Sequence, residues 1–406
     1  MSTEWEALTE KLRKMGVQLG LEKPLQESPL RRKPIEDLIS GREVKTNFGP
    51  VFSVAHHYDA DHIQGKQILQ PAGSWQKLAE WAKAADLAEA SLENFVFLDT
   101  ETTGLSVGTG TMAFLIGVGK FEGEGFHLEQ YFLRNPTEES AQLAALVAFC
   151  DEMEAVITYN GKSFDIPILN TRFILQGMNS PFEALAHFDL LHLTRRVWKA
   201  RLEHCNLGVI EKAILEMERT EEDIPGYLAS EYYLDYLRTG DSTSIKGIFY
   251  HNEQDVVSLA ALFARLADIL ENPLTWQSNS HQDLNSLGRV LERMGKTELA
   301  LQIYDRSFKE EFNEESLLRS AKLSKKLGNW EQAVLFWQLA GEDSVEALEE
   351  LAKYYEHHLK NYQLAQDCTL KGIKVLERNY PEEHTSMPVF KALQHRLHRL
   401  EIKRKH

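Results

Sequence analysis

The chain has 406 residues, 43% hydrophobic and 26% charged, an ordinary globular composition that argues against wholesale disorder and, by length, for at least two domains. Lys and Arg total 45 against 61 Asp and Glu, a formal charge of −16, so the molecule as a whole repels nucleic acid and anionic membranes, and a polyanionic partner must meet a local basic patch or bound cations. Cys150, Cys205 and Cys368 are far apart and lack a CxxC pair, which excludes a zinc ribbon and fits a reducing, cytoplasmic setting; no apolar run reaches the ~18 residues of a membrane span.

In chain order, "MSTEWEALTEKLRKMG" predicts a short amphipathic helix with no signal-peptide core. Residues 1–90 then continue as an irregular segment with Pro-containing turns and one or two strands. Within it, "AHHYDADHIQG" gathers His56, His57, Asp59, Asp61 and His62; on a strand the two adjacent histidines point to opposite faces, so a structural or substrate-edge role is expected rather than a metal site.

From Phe95 the pattern becomes strand "NFVFLDTET", strand "MAFLIGVGKF", an "EGEG" turn, strand "FHLEQYFL", helix "TEESAQLAALVAFCDEM", strand "AVITYN" and helix "FDIPILNTRFILQG". This predicts an α/β domain over residues 91–271, a mixed sheet flanked by helices. The glycines of "LIGVG" and "GTG" lack the strand-to-helix setting of a dinucleotide site and are read as turn and bulge positions.

Three segments of this domain carry acids. Phe95 to Leu98 are apolar at every position, as in a central strand covered on both faces. Asp99 and Glu101 follow on one face, where like charges are costly unless a cation lies between them. Asp165 falls at the start of a helix after the Asn160-Gly161 turn, where a helix N-cap is the plain reading and the mouth of an open sheet the functional one. In "FYHNEQDVVSLAALFARLADIL" the stripe Leu259, Leu262, Leu266 and Leu270 carries Asp255, with His251 one turn earlier on the same face. Four acids of this kind suit Mg²⁺ or Mn²⁺, and two such ions can activate water and stabilise a leaving oxygen in phosphodiester cleavage.

Between the second and third segments, "HFDLLHLTRRVWKAR" places Arg195, Arg196, Lys199 and Arg201 around Trp198. This is either a single-strand contact or a solvated helix face. Past Asn272 no strand is convincing. "GKTELALQIY", "GNWEQAVLFW" and "KNYQLAQDCT" align Ala300, Ala333 and Ala365 at spacings of 33 and 32, close to the period of about 34 of tetratricopeptide (TPR) repeats. An all-α TPR-like domain is expected over 281–406. The basic tail "HRLHRLEIKRKH" reads as a solvated helix end.

The D-x-E strand, "YNGKSFDIP" and "HNEQDVVSL" together resemble the three exonuclease motifs of the DEDD superfamily, with its ribonuclease H-like fold, and most closely its YprB-like branch with a helical TPR-type tail. The resemblance covers roughly residues 30–270. It implies a 3′–5′ exonuclease acting on single-stranded DNA or RNA, with Asp99 bridging two metals, Glu101 and Asp255 completing the first site and Asp165 serving the second. It also implies substrate contacts at the motif positions Thr102, Thr103, Gly104, Asn160 and Phe164, and a protein partner on the repeats. His251 stands four residues before Asp255, where one class of the superfamily has Tyr; Tyr250 stands five before, where the other class has His. A non-catalytic nucleic-acid-binding scaffold and a structure-selective endonuclease are the alternatives on the same fold.

Overall fold

The structure, a computed structural model, describes residues 33–59, 61–104, 108–220, 222–278 and 280–404. The amphipathic helix expected at the N-terminus lies outside these residues.

Alternating and all-apolar runs form the strands. They are β1 (Arg42–Thr46), β2 (Gly49–Asp59), the short pair β3 (Ile63–Gln64) and β4 (Gln67–Ile68), then, after helix α1 (Gln76–Ala82), β5 (Phe95–Thr102), β6 (Ala113–Glu122) and β7 (Gly125–Phe132). Helix α2 (Glu139–Phe149), strand β8 (Ala155–Thr158), helix α3 (Asp165–Leu175) and strand β9 (Ala186–Asp189) complete a seven-stranded sheet in the order β1-β2-β7-β6-β5-β8-β9. The strands from β1 to β5 pair antiparallel, whereas β8 and β9 run parallel to β5. Thus β1 and β2, within the segment expected to be irregular, extend the same sheet.

Strand β5 is central and covered on both sides. Phe95 and Phe97 belong to an apolar cluster with Val256, Leu259 and Phe263, while Val96 and Leu98 belong to another with Ala141, Leu169 and Phe173. The first face is covered by helices α4 (Leu190–Trp198) and α7 (Ile245–Glu271), the second by α2 and α3. Between α4 and α7 run the short helix α5 (Leu207–Ile210), a single π turn over Glu211–Leu215, and α6 (Ala229–Thr239).

The glycines of "LIGVG" are neither turn nor bulge. Gly117 and Gly119 sit mid-strand in β6, and a Cβ on them would come within 2.2 Å of Asn252 Oδ1 and 2.3 Å of the Phe126 ring. They are absent side chains that admit neighbours. The irregularity lies instead in β5, between Glu101 and Thr102.

The described residues from 280 to 404 are helical: α8 (His281–Arg293), α9 (Thr297–Glu310), α10 (Glu314–Lys326), α11 (Trp330–Ala340), α12 (Val345–His357), α13 (Tyr362–Asn379) and α14 (Pro388–Lys403). Ala300, Ala333 and Ala365 occupy the fourth position of α9, α11 and α13, and all three are buried. The turns before these helices repeat too, with Gly295, Gly328 and Lys360 at φ of 75°, 79° and 53°.

Two sequence expectations need correction here. Trp198 is buried in the main apolar cluster, which continues through Trp276, Leu284 and Leu287 to Tyr304, so it offers no ring for a base. Its neighbour Arg201 pairs with Asp283 of α8 at 3.0 Å, tying the sheet domain to the helices. The C-terminal basic residues are not a free solvated face either. Arg396, Arg399 and Lys403 converge on Glu356, a fully buried side chain of α12.

Candidate active site

The antiparallel and parallel halves of the sheet part at β5. It pairs with β8 only over Phe95–Phe97, then continues alone on that side to Thr102. This is the crevice where open α/β sheets gather functional groups, because strand ends and helix starts leave polar atoms there.

The twofold period of the strand puts Asp99 and Glu101 on the Phe95 and Phe97 face, toward α7. Thr100 faces the other way, and its hydroxyl donates to Oδ1 of Asp165. Asp165 is the first residue of α3 rather than its cap, which is Phe164; the side chain is buried against β5. From α7, Asp255 and His251 project one turn apart, with His251 Nε2 3.7 Å from Asp255 Oδ2.

The four carboxylates share one electrostatic environment. Burial first, then the charges of Asp255 and Asp165, push Asp99 well above the ordinary carboxylate range, with Asn252 and Arg219 pulling partly back. Burial followed by Asp99, Asp255 and Asp165 does the same to Glu101. Asp165 is raised to about 6, chiefly by burial, although the Thr100 hydrogen bond opposes the shift. Burial together with like charge marks these acids as candidates for a functional site.

Their donor chemistry, hard oxygens from three separate elements, fits Mg²⁺ or Mn²⁺. Among the described residues, however, no three His, Cys, Asp or Glu side chains are drawn together as a ready ligand cage. Three of the four acids are turned to other partners: Asp99 to Asn252, Asp165 to Thr100 and Asp255 to Arg219. The "AHHYDADHIQG" segment forms no cage either; His56 lies 3.3 Å from Glu253 and Tyr58 donates to the same carboxylate.

The motif-adjacent residues shape the rim. The Thr102 hydroxyl donates to Gly104 O, and Thr103 accepts from Met112 N, so both brace the loop after β5. Asn160 has φ of 70°, and its N–H donates to Asp189. Tyr250 turns away from Asp255 and accepts from Thr220 N at 3.1 Å.

Three participants escaped the sequence reading. Asn252, fully buried, donates Nδ2 to Asp99 Oδ2 at 2.9 Å and accepts from Gln130. Asp189 accepts from the N–H groups of Asn160, Lys162 and Leu191, bracing the turn that leads to Asp165; "FDLL" carried this as an N-cap signal. Arg219 reaches Glu211, Asp223, His251 and Asp255 at once. No periodic pattern announces it, because it follows a π turn and a left-handed Glu216. Beside it a groove of about 860 Å³ opens onto Asp255 and His251, lined also by Lys212, Gly226 and the exposed Tyr227.

Comparison with known proteins agrees with this architecture. A family model described as RNase_H_2, of the RNase_H superfamily, matches residues 96–267. The chain is also 32% identical over 277 residues to "Uncharacterized protein YprB" of Bacillus subtilis (strain 168), an alignment spanning 66% of each chain. The mixed sheet, its acid-lined crevice and these two matches identify residues 96–267 as a domain of the RNase H superfamily, in a chain similar to YprB.

Proposed function

We propose that the protein is a metal-dependent nuclease, a 3′–5′ exonuclease hydrolysing phosphodiester bonds of single-stranded nucleic acid. The observation that carries this reading is the grouping of Asp99, Glu101, Asp165 and Asp255 at the parting of the sheet, where Asp99, Glu101 and Asp165 hold their protons more tightly under burial and one another's charge. The superfamily match supports nuclease chemistry; the polarity and the single-stranded substrate rest on the likeness of the three motifs.

In this reading the four carboxylates would hold two Mg²⁺ or Mn²⁺ ions, which would supply charge neutralisation for the scissile phosphate and activation of the attacking water. The chain's own groups do the rest. His251, held at Nδ1 by Asp223 at 2.8 Å, presents Nε2 toward Asp255, where it can orient a water and take its proton. Asn252 fixes the Asp99 carboxylate, and Thr100 fixes that of Asp165. The helix pairs after residue 281 serve as a TPR-like surface for a protein partner.

One observation favours a second reading: Asp255 is already neutralised by Arg219, as in a non-catalytic nucleic-acid scaffold. Incubation of 5′-labelled single strands and duplexes with and without Mn²⁺ separates the readings. Laddering from the 3′ end supports the exonuclease, internal cuts an endonuclease, and binding without cleavage the scaffold.

A further inference from the structure

Arg219 is gripped from one side and shared on the other. Its Nε and Nη2 donate to Oε2 and Oε1 of Glu211 at 2.8 and 2.7 Å, a two-point anchor on a carboxylate that is only 2% exposed. The same Nη2 donates to Asp255 Oδ1, and Nη1 faces His251 Nδ1 at 3.0 Å and Asp223 at 3.4 Å. Among the described residues touching Asp255, Arg219 supplies the only permanent positive charge. An acid cluster that gathers carboxylates for cations has the problem of holding them together before cations arrive.

We propose that Arg219 is an internal counter-cation of the cluster, a positioning residue that holds Asp255 in the metal-free protein and releases it when a divalent cation binds. The inference rests on the metal-dependent reading above. The Glu211 fork makes the exchange local: when Asp255 turns away, Nε and Nη2 keep their partners, so the guanidinium stays in place. The cost is competition, since Asp255 must leave one cation for another.

Titration with MnCl₂, followed by the electron paramagnetic resonance signal of free Mn²⁺, tests this without any cleavage assay. The Glu211→Gln/Arg219→Gln double variant removes the guanidinium without leaving a buried carboxylate unpaired. The double variant leaves the net charge unchanged and removes only the cation in contact with Asp255, so its dissociation constant for Mn²⁺ should fall about fivefold below wild type, the scale of one contact charge pair at the high-dielectric limit. Arg219→Lys keeps a charge but cannot span Glu211 and Asp255 together, and its affinity should lie between the two; if the double variant does not fold, tighter binding by Arg219→Lys than by wild type supports the proposal by itself. Binding to wild type with equal or weaker binding to the variants overturns the role of Arg219 and leaves metal dependence standing. No binding to any of the proteins at millimolar Mn²⁺ overturns both.

Discussion

Asn252 donates Nδ2 to Asp99 Oδ2 at 2.9 Å from a fully buried position, and its own Oδ1 accepts from Gln130. The contact exists only because Gly117 on β6 has no side chain to fill the space. Asn252→Ala takes the donor from Asp99 and one of two acceptors from Gln130, which keeps Phe249 O, and should cost about 1–3 kcal/mol. Gly117→Ala should be at least as damaging, because its Cβ would meet Asn252 at 2.2 Å. Urea denaturation of both variants checks the pair; a neutral Gly117→Ala would show that Asn252 has room to move.

A second prediction concerns pH in metal-free protein. Asp99, Glu101 and Asp165 have folded pKa values above their ordinary ones, so between about pH 4 and the raised values the folded state binds more protons than the unfolded state. Their contribution to stability therefore falls as pH rises through that window, which for Asp165 extends to about 6. Asp99→Asn removes one charge of the cluster and should melt above wild type at pH 7, with the gap closing toward pH 4.5. Millimolar Mn²⁺ should raise the melting temperature of wild type at pH 7 and raise that of the variant less. Identical melting curves at pH 7 would remove the electrostatic argument for the site.

For catalysis, the order of damage distinguishes ligand from proton carrier. His251→Ala should lower the cleavage rate by ~10²–10⁴-fold, the range for loss of a general base, and His251→Tyr should retain more activity than Ala. Asp255→Ala should be worse than either. Tyr250→Phe loses a hydrogen bond from Thr220 N and should be close to wild type. Loss of cleavage in Tyr250→Phe with normal rates in His251→Ala would transfer the water-orienting role to Tyr250.

Ending the chain at Asn272 tests how the helices matter to the sheet. All four acids precede that point, but Leu284, Leu287 and Leu291 belong to the cluster that buries Trp198. Each large apolar side chain re-exposed should cost on the order of 1.5–3 kcal/mol, and Arg201 would lose Asp283. The shortened chain should keep its carboxylates yet melt well below the full one by calorimetry. An unchanged melting temperature would mean that the shared cluster contributes little.

In the third helix pair, Lys360 takes the left-handed turn that glycine occupies in the other two. Lys360→Gly should relieve that backbone cost and stabilise by about 0.5 kcal/mol net of glycine's unfolded-state entropy, measurable by urea denaturation.

Much of this molecule was legible because its strongest signals are periodic. The all-apolar Phe95–Leu98 run, the alternation beyond it and the leucine stripe on α7 each report one covered surface, and Asp99, Glu101 and Asp255 stand where those patterns end. Asn252 and Arg219 carry no such mark. Asn252 is read only by knowing that Gly117 lies across from it, a relation between β6 and α7 that spans more than a hundred residues. Arg219 depends on a π turn that breaks helical period, so spacing along the chain says nothing of where its guanidinium lands. Trp198 misled for a related reason: its cationic neighbours suggested a surface, while the side that decides its burial comes from helices eighty residues later.

The apolar cluster that passes from Phe95 through Trp198 to Tyr304 has a mechanical meaning. Helix α4 is packed against the sheet on one side and against α8 on the other, and Arg201, Lys296 and Arg306 fasten the same junction at Asp283, Glu80 and the carbonyls of 273, 274 and 276. The first helix pair is therefore a bracket rather than a tether. Its bearing on the sheet domain is set by packed side chains and ion pairs and not by the slack of a linker.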